Sequence, residues 1–204
     1  MFSRSLHLIR RPQFGLVWLT IVGALSFLAL LFRPVGGHYL LFSSAARAFW
    51  QAAPMYDTSF DIGRSGYFYS PSCAAFFYSI FAYLPAAWGR GIYVGTSLVF
   101  LGLSIWYLKK VYQRQTGHAL DQGFCGQLIW VMLSSELNGA ILAEKLEISI
   151  LAIFFFSLAL CWERRFGVAI ALLLIVANWK FQSLPLLGLL LVGLARERRF
   201  WVYV

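Results

Sequence analysis

The sequence predicts an all-α, polytopic membrane protein, and three observations lead to that fold class. Hydrophobic residues make up 60% of the 204 positions, only 12% are charged, and the mean hydropathy is +0.72. Soluble domains carry about 25% charged residues, so this chain is too apolar for that class. The apolar residues also form stretches that suit transmembrane helices, and short basic clusters separate these stretches.

The first predicted span covers residues 14–32, which carry no charge and follow Arg4, Arg10 and Arg11. At about 1.5 Å per residue, the stretch matches the roughly 30 Å of bilayer hydrocarbon. A cleavable signal peptide is the alternative, but the stretch is long for one and no small-residue cleavage site follows it. We interpret it as a retained signal anchor, which places the amino terminus in the cytoplasm.

Residues 33–71 form a polar outer loop. Its glycines and Pro54 would leave backbone amides unpaired in hydrocarbon, so the loop belongs at or above the membrane surface. Apolar residues recur in it at three- and four-residue steps, opposite Ser43, Ser44 and Arg47, which predicts a short amphipathic helix lying in the lipid interface. A helix packed on its own protein is the alternative. The apolar positions are Tyr39, Phe42, Ala46, Phe49 and Trp50.

The rest of the chain, residues 72–204, predicts further spans and brings the total to about six. Residues 72–85 are short for a span, and a turn at Gly89 and Arg90 separates them from the next one. A polar patch from Glu136 to Glu147 interrupts a later stretch. The apolar stretches are 72–85, 91–108, 126–135, 148–162, 166–177 and 184–195. We expect one membrane domain over 1–204, and because 200–204 resemble the start of another span, we expect a fragment.

Basic clusters indicate the orientation. The clusters at 109–110, 164–165 and 196–199 all favour the cytoplasmic side. They reach it together if 91–108 runs inward and 72–85 is a half-span or re-entrant helix. The polar patches at 33–70, 136–147 and 178–182 then face outside. If 72–85 crosses fully, every later basic cluster lies on the opposite side.

Charge and cysteine content exclude several classes of partner and cofactor. The net charge of +9 lies in clusters between apolar stretches, where it meets anionic lipid, so nucleic acid is not an expected partner. The scattered Cys73, Cys125 and Cys161 form no CxxC pair and predict packing residues instead of a disulfide or metal site. The chain has no glycine-rich phosphate loop and no D-x-D motif, so no metal or other cofactor is expected.

Several motifs resemble a known family when they are taken in order. GGHYLLFSSAARAFW, MYD, and YFYSP with FFYSIFAYLP resemble the first outer loop of polyprenol-phosphate-dependent mannosyltransferases, glycosyltransferase family 87 of the GT-C superfamily. The later NWKFQSLPLLGLLL resembles that family's lysine-x-x-proline segment with wider spacing. EKLEISIL takes the place of its GQ-x-N-x-L-L. The resemblance covers most of residues 33–204 and corresponds to the amino-terminal half of such an enzyme.

The resemblance implies an integral membrane enzyme, multi-pass, in the bacterial cytoplasmic membrane. Its expected partners are a polyprenyl-phosphate sugar donor, a lipid or glycan acceptor outside the cytoplasm, and membrane lipids. The resemblance to mannosyltransferases implies that the sugar is mannose. A membrane protein that binds or transports a lipid-linked saccharide without catalysis is the alternative. A transporter would favour internal repeats with matching broken helices, and the sequence has no such pair.

The catalytic base implied by the resemblance is an acidic residue of the first loop, and His38 stands at that position. A neutral imidazole can accept a proton near physiological pH, so His38 is a candidate base. Asp57 and Asp61 are the other candidates. Asp57 is equally well interpreted as an ordinary turn residue, whose carboxylate accepts backbone N–H groups.

Seven residues are candidates for substrate binding. Arg64 and Lys180 are suited to the donor phosphate, and Lys180 lies at apparent membrane depth, where ionisable residues are functional by default. The alternative for Arg64 is a solvated loop cation, and the alternative for Lys180 is a side chain that snorkels to the interface. Glu144 and Glu147 are one helical turn apart and can form a polar face with Lys180 as counter-ion, or a solvated loop. The remaining candidates are Lys145, beside them, and Tyr67 and Tyr69, which suit stacking on a sugar ring or the lipid interface.

Overall fold

The computed structural model describes residues 14–34, 38–56, 70–117, 124–180 and 188. All regular structure in these ranges is helical, which confirms the all-α prediction. The helices are α1 (Phe14–Leu31), α2 (His38–Trp50), a π-helical turn (Cys73–Tyr78) that continues into α3 (Ser79–Ala82), α4 (Ala86–Thr116), α5 (Phe124–Leu142), α6 (Glu147–Trp162) and α7 (Phe166–Trp179).

The long helices form a bundle in which α1 packs on α5 and α4 on α6, each pair running in the same direction, while α6 and α7 pack in opposite directions. Their directions alternate along the chain, which brings the end of α1, the start of α4, the α5–α6 turn and the end of α7 to one end of the bundle. The opposite end holds the α6–α7 turn, where the Tyr107 hydroxyl donates to Glu163 Oε2 at 2.6 Å. The basic residues of the α4 carboxyl end and of the α6–α7 turn therefore lie away from the polar end.

The bundle has an apolar core with buried serines at several helix contacts, and many large apolar residues also lie on its outer surface. Ser26 Oγ donates to Asn138 Oδ1 at 2.6 Å between α1 and α5, and the Ser97 and Ser149 hydroxyls lie 2.9 Å apart between α4 and α6. On the outer surface Leu25 is 62% exposed. Small residues and hydroxyls between helices, with apolar side chains outward, are typical of helices surrounded by lipid.

Among the described residues, α4 is the one helix that is both long and apolar enough to cross a membrane. Its 31 residues give a length of about 46 Å, which exceeds the roughly 30 Å of hydrocarbon. Three other apolar helices are shorter, at Val17–Leu31, Glu147–Trp162 and Phe166–Trp179. Membrane association is thus supported by one helix, and the bundle of about six spans stays a prediction.

Helix α4 corrects the predicted boundary at residue 91. It begins at Ala86, directly after Pro85, and the turn expected at Gly89 and Arg90 is wrong because both residues are helical. Gly89 is required by packing: a Cβ there would lie 1.8 Å from the Tyr39 hydroxyl oxygen. The glycine signals a close approach of α2, not a chain reversal.

Helix α5 corrects the predicted interruption at Glu136. The helix continues through Glu136 and Asn138 to Leu142, so the polar patch divides between a helix face and the turn at 143–146. Asn138 is tolerated within the helix because Ser26 of α1 donates to it. The start of the next helix, α6 at Glu147, and the range of α7 agree with the predicted stretches 148–162 and 166–177.

The predicted amphipathic helix exists as α2, and its buried face agrees with the prediction in part. Tyr39, Phe42 and Ala46 are buried as expected. Ser43, expected on the polar side, is 3% exposed, while Phe49 and Trp50 are 38% and 57% exposed. The helix packs on the segment 73–82 rather than standing alone: Tyr39 Oη donates to the Phe81 carbonyl at 2.8 Å and Arg47 Nε to the Ala82 carbonyl at 2.7 Å. The Arg47 bond gives a partner to the Ala82 carbonyl at the end of α3, and the Phe81 carbonyl accepts the Leu84 N–H at 3.2 Å in addition to the Tyr39 hydroxyl.

Segment 73–82 is too short to cross a bilayer, at about 1.5 Å per helical residue. The half-span interpretation of 72–85 stays a prediction. The buried thiols of Cys73 and Cys161 are outside any disulfide, in agreement with their interpretation as packing residues.

Candidate polar site at one end of the bundle

The candidate site is formed where four helix ends meet at the polar end of the bundle. His38 begins α2, Glu144 and Lys145 occupy the α5–α6 turn, Glu147 begins α6, and Lys180 follows α7. The bond between Tyr39 and Glu144 alone joins residues 105 positions apart in the chain. Tertiary packing is therefore what assembles the group.

Glu144 lies at the centre of the site and is 4% exposed. Its Oε2 accepts the backbone N–H of Tyr39 at 3.0 Å, so the carboxylate caps the amino terminus of α2 from a distant turn. Burial raises the pKa of Glu144, while the Tyr39 amide and then Arg90 act to lower it. The pKa of Glu144 is therefore raised overall, because the cost of desolvating the carboxylate exceeds the stabilisation by these two partners.

Arg90 is the counter-ion of Glu144, and its side chain is 2% exposed. Arg90 Nη1 lies 3.4 Å from Glu144 Oε1 and donates to the Pro34 carbonyl at 2.9 Å. Arg90 Nη2 donates to the Arg33 carbonyl, also at 2.9 Å. One guanidinium thus connects α4, the segment that follows α1, and the α5–α6 turn.

A second ion pair joins Glu147 to Lys180. Lys180 Nζ donates to Glu147 Oε1, which links the start of α6 to the residue after α7. The Lys180 side chain is 14% exposed, and the Glu147 side chain is 40% exposed. The counter-ion relationship expected for Lys180 is therefore formed with Glu147, while Glu144 pairs with Arg90.

His38 lies within electrostatic range of this second pair. Burial lowers the pKa of His38 below 6.5, Glu147 acts in the opposite direction, and Lys145 and Lys180 add to the lowering. The imidazole is therefore neutral at physiological pH and has a lone pair available for a proton. Its ring stacks on Phe42 with a centroid separation of 5.8 Å.

Two cavities open at this end of the bundle. One, of about 300 Å³, lies beside His38 and is lined by Leu30, Arg33, Pro34, His38, Leu142, Ala143 and Glu144. The other, of about 190 Å³, lies between α5 and α6, and its polar lining residues are Glu136, Lys145 and Glu147. Both cavities combine charged groups with apolar walls, as small-molecule sites do.

The structure brings together half of the predicted site. His38, Glu144, Lys145, Glu147 and Lys180 lie at the same end of the bundle. The other candidates, Asp57, Asp61, Arg64, Tyr67 and Tyr69, lie outside the described residues.

Sequence reasoning missed Arg90 and Arg33 as parts of the site. The available signal for Arg90 was its position at the edge of an apolar stretch, since a charge there needs a buried partner. The turn predicted at Gly89 and Arg90 implies a solvated arginine, which needs no buried partner. For Arg33 no comparable signal was present, because a basic residue after a span is expected at any interface.

The described residues contain no group of three or more His, Cys, Asp or Glu side chains able to hold a metal ion. Comparison of the chain with protein-family models, with curated proteins and with solved structures finds no match. The chemistry of the site is therefore argued from its own residues.

Proposed function

We propose that this chain is an integral membrane glycosyltransferase that transfers a sugar, mannose by resemblance, from a polyprenyl phosphate to a lipid or glycan acceptor. The observation that carries the proposal is a neutral imidazole, His38, beside a cavity with Arg33 on its wall and Lys145 and Lys180 nearby. A sugar phosphate needs cations at its phosphate and a base at the attacking hydroxyl. The motif order that resembles glycosyltransferase family 87 supports the same reaction.

The proposed reaction is a single displacement. His38 accepts the proton of the acceptor hydroxyl while its oxygen forms a bond to the anomeric carbon. The bond between that carbon and the phosphate oxygen breaks, and the electron pair leaves with the polyprenyl phosphate. Lys180 stabilises the leaving charge after exchanging Glu147 for the phosphate, and Arg33 adds a second cation. His38 then releases its proton to solvent.

Membranes that contain the protein, incubated with radiolabelled polyprenyl-phosphate-mannose, test this proposal. We expect label in the lipid or glycan fraction, a loss of at least about 100-fold in His38→Ala, and partial recovery in His38→Asp, which restores an acidic base. Gln115→Ala, exposed at the far end of α4, is the matched control and should transfer at the parental rate. Parental transfer in His38→Ala would move the base to Asp57 or Asp61.

A non-catalytic protein that binds lipid-linked saccharide is the second candidate. His38 favours it, because the resemblance implies an acidic base at that position. Purified protein that retains the labelled donor, with no transfer by the parent or by His38→Asp, would support binding and contradict the enzyme proposal.

A further inference from the structure

We infer that Arg90 and Glu144 are positioning residues for His38: their buried pair holds the start of α2, and with it the imidazole, against the turn that carries Lys145 and Glu147. The inference rests on the proposed function only for the role of His38 as a base. The positioning itself is a property of the fold and can be measured without turnover.

Arg90 connects two separate parts of the chain. Its two terminal nitrogens bond the carbonyls of Arg33 and Pro34, which lie between α1 and α2, and Glu144 of the α5–α6 turn. Lysine could not do this, because a single ammonium lacks the planar fork that reaches separated acceptors. Arg90 therefore fixes the distance between the chain that precedes His38 and the turn that follows α5.

Glu144 forms a hydrogen bond with α2. Its Oε2 accepts the N–H of Tyr39, the residue next to His38, at 3.0 Å. The backbone of Glu144 adopts a left-handed φ of 55°, which costs a non-glycine residue about 1 kcal/mol. The conformation aims the carboxylate inward, at the amide of Tyr39 and the guanidinium of Arg90. The placement of the imidazole next to Lys145 and Glu147 follows from this capped helix start.

The ion pair of Arg90 and Glu144 is poorly arranged for stability alone. Arg90 Nε is buried and has no hydrogen-bond partner among the described residues, and the ion pair is 3.4 Å long. Apolar residues of similar volume commonly replace buried ion pairs without loss of stability. What they cannot replace is the cap on α2 and the bonds to the 33–34 carbonyls.

The test compares the parent with the double variant Arg90→Met/Glu144→Leu, which leaves the net charge unchanged. His7→Gln and His118→Gln make His38 the single histidine of each protein. The rate at which diethylpyrocarbonate modifies His38 is then measured against pH. Of the two protonation states of histidine, the reagent attacks only the neutral one. We expect the pH midpoint of the modification rate to lie below 6.5 in the parent. In the double variant this midpoint should rise toward 6.5, since the released imidazole loses its burial.

The matched control is Ser97→Ala/Ser149→Ala, which removes another buried polar pair between α4 and α6. It should leave the His38 midpoint unchanged. Arg90→Lys, a milder change, covers the case in which the double variant does not fold, and it should move the midpoint in the same direction. Transfer assays add a second measurement: kcat should fall by about 100-fold, while KM for the donor changes little.

The inference is overturned if Arg90→Lys, or a double variant that still folds into helices, keeps the parental midpoint. It is equally overturned if the serine control shifts the midpoint as far as the double variant does. Removal of any buried polar pair would then be enough to release His38. A parent that shows no transfer contradicts the proposed function and leaves this measurement intact.

Discussion

Three non-glycine residues in the described ranges end a helix in the left-handed conformation: Ala52, Glu144 and Arg164, with φ of 54°, 55° and 61°. In each case the next backbone N–H bonds the carbonyl five residues earlier, as in the Schellman motif. Glycine is the usual residue there, because it has no Cβ to clash. The same backbone strain therefore occurs with a buried functional side chain at Glu144 and with an exposed one at Arg164.

These two positions give a matched prediction. Arg164→Gly should stabilise the protein by about 0.5–1 kcal/mol, because the strain is removed and an exposed side chain is lost. Glu144→Gly should destabilise it by about 2–4 kcal/mol, because Arg90 is left as an unpaired buried charge. Thermal unfolding in detergent, followed by circular dichroism, measures both. Equal effects of the two glycines would contradict the role given to the Glu144 carboxylate.

Gly89 supplies the second prediction at this scale. A Cβ there would lie 1.8 Å from Tyr39 Oη and 2.9 Å from the Phe81 carbonyl oxygen. Gly89→Ala should therefore lower the free energy of unfolding by about 1–3 kcal/mol, with partial rescue by Tyr39→Phe. Gly102→Ala is the control on the same helix, since no atom lies within 4 Å of its Cβ. It should be neutral or stabilising by up to about 1 kcal/mol, and a loss equal to that of Gly89→Ala would contradict the steric argument.

The pH dependence of transfer is the third prediction. A base must be unprotonated, so activity falls as pH falls through the pKa of His38, which burial holds below 6.5. Glu147 raises that pKa and Lys145 lowers it, so the acidic limb should move to lower pH in Glu147→Gln and to higher pH in Lys145→Gln. Profiles of kcat/KM against pH measure the limb. Shifts in the opposite directions, or none, would exclude His38 as the titrating base.

At the scale of single elements, α2 shows how a local pattern can predict a helix and miss its environment. The three- and four-residue spacing correctly identified a helix, since that periodicity is a property of the chain itself. Burial of Ser43 was not predictable in this way, because it depends on segment 73–82 packing against that side. Hydroxyls are tolerated there because Ser43 Oγ donates to the Leu40 carbonyl at 3.1 Å.

The contact between α2 and α3 gives a prediction at this scale. Arg47 Nε donates to the Ala82 carbonyl, where a cation also meets the negative end of the α3 dipole. Arg47→Met should increase amide hydrogen exchange in 79–84 by several-fold and leave α6 unchanged. Trp50→Phe is the control: its indole bonds Ser79 at an exposed position, so its loss should matter less. Unchanged exchange in Arg47→Met would show that packing alone holds α3.

At the scale of the whole molecule, the distribution of polarity favours lipid as the surrounding medium. Buried serines lie at several helix contacts within the apolar core, and many large apolar residues face outward, for example Val99 and Leu103 at 63% and 57% exposure. In water this surface would be a large apolar patch of the kind that associates. Lys110 Nζ, 4.9 Å from the Trp106 ring centroid, lies near the far end of α4, where aromatic and basic residues suit a membrane interface.

Topology is the prediction at this scale. We expect the polar end outside and the basic end in the cytoplasm, following the positive-inside rule. In a protein with its three cysteines changed to alanine, Ala53→Cys should react with a membrane-impermeant maleimide in intact cells. Gln115→Cys should react only after permeabilisation. The reverse pattern would invert the orientation and place the proposed donor site in the cytoplasm.

The sequence by itself determined the all-helical class, the apolar character, and the grouping of polar patches at one end, because composition, periodicity and helix direction are local or additive properties. It also selected His38, Glu144, Lys145, Glu147 and Lys180 as candidate site residues, since ionisable residues are conspicuous in an apolar chain, and the structure places these five at one end of the bundle. Only the tertiary structure decided which charges pair. Glu144 could pair with any nearby cation, and the choice of Arg90 over Lys180 depends on where α4 begins and α7 ends. The same holds for Gly89, whose role is defined by the hydroxyl of Tyr39, a residue that only packing brings within reach.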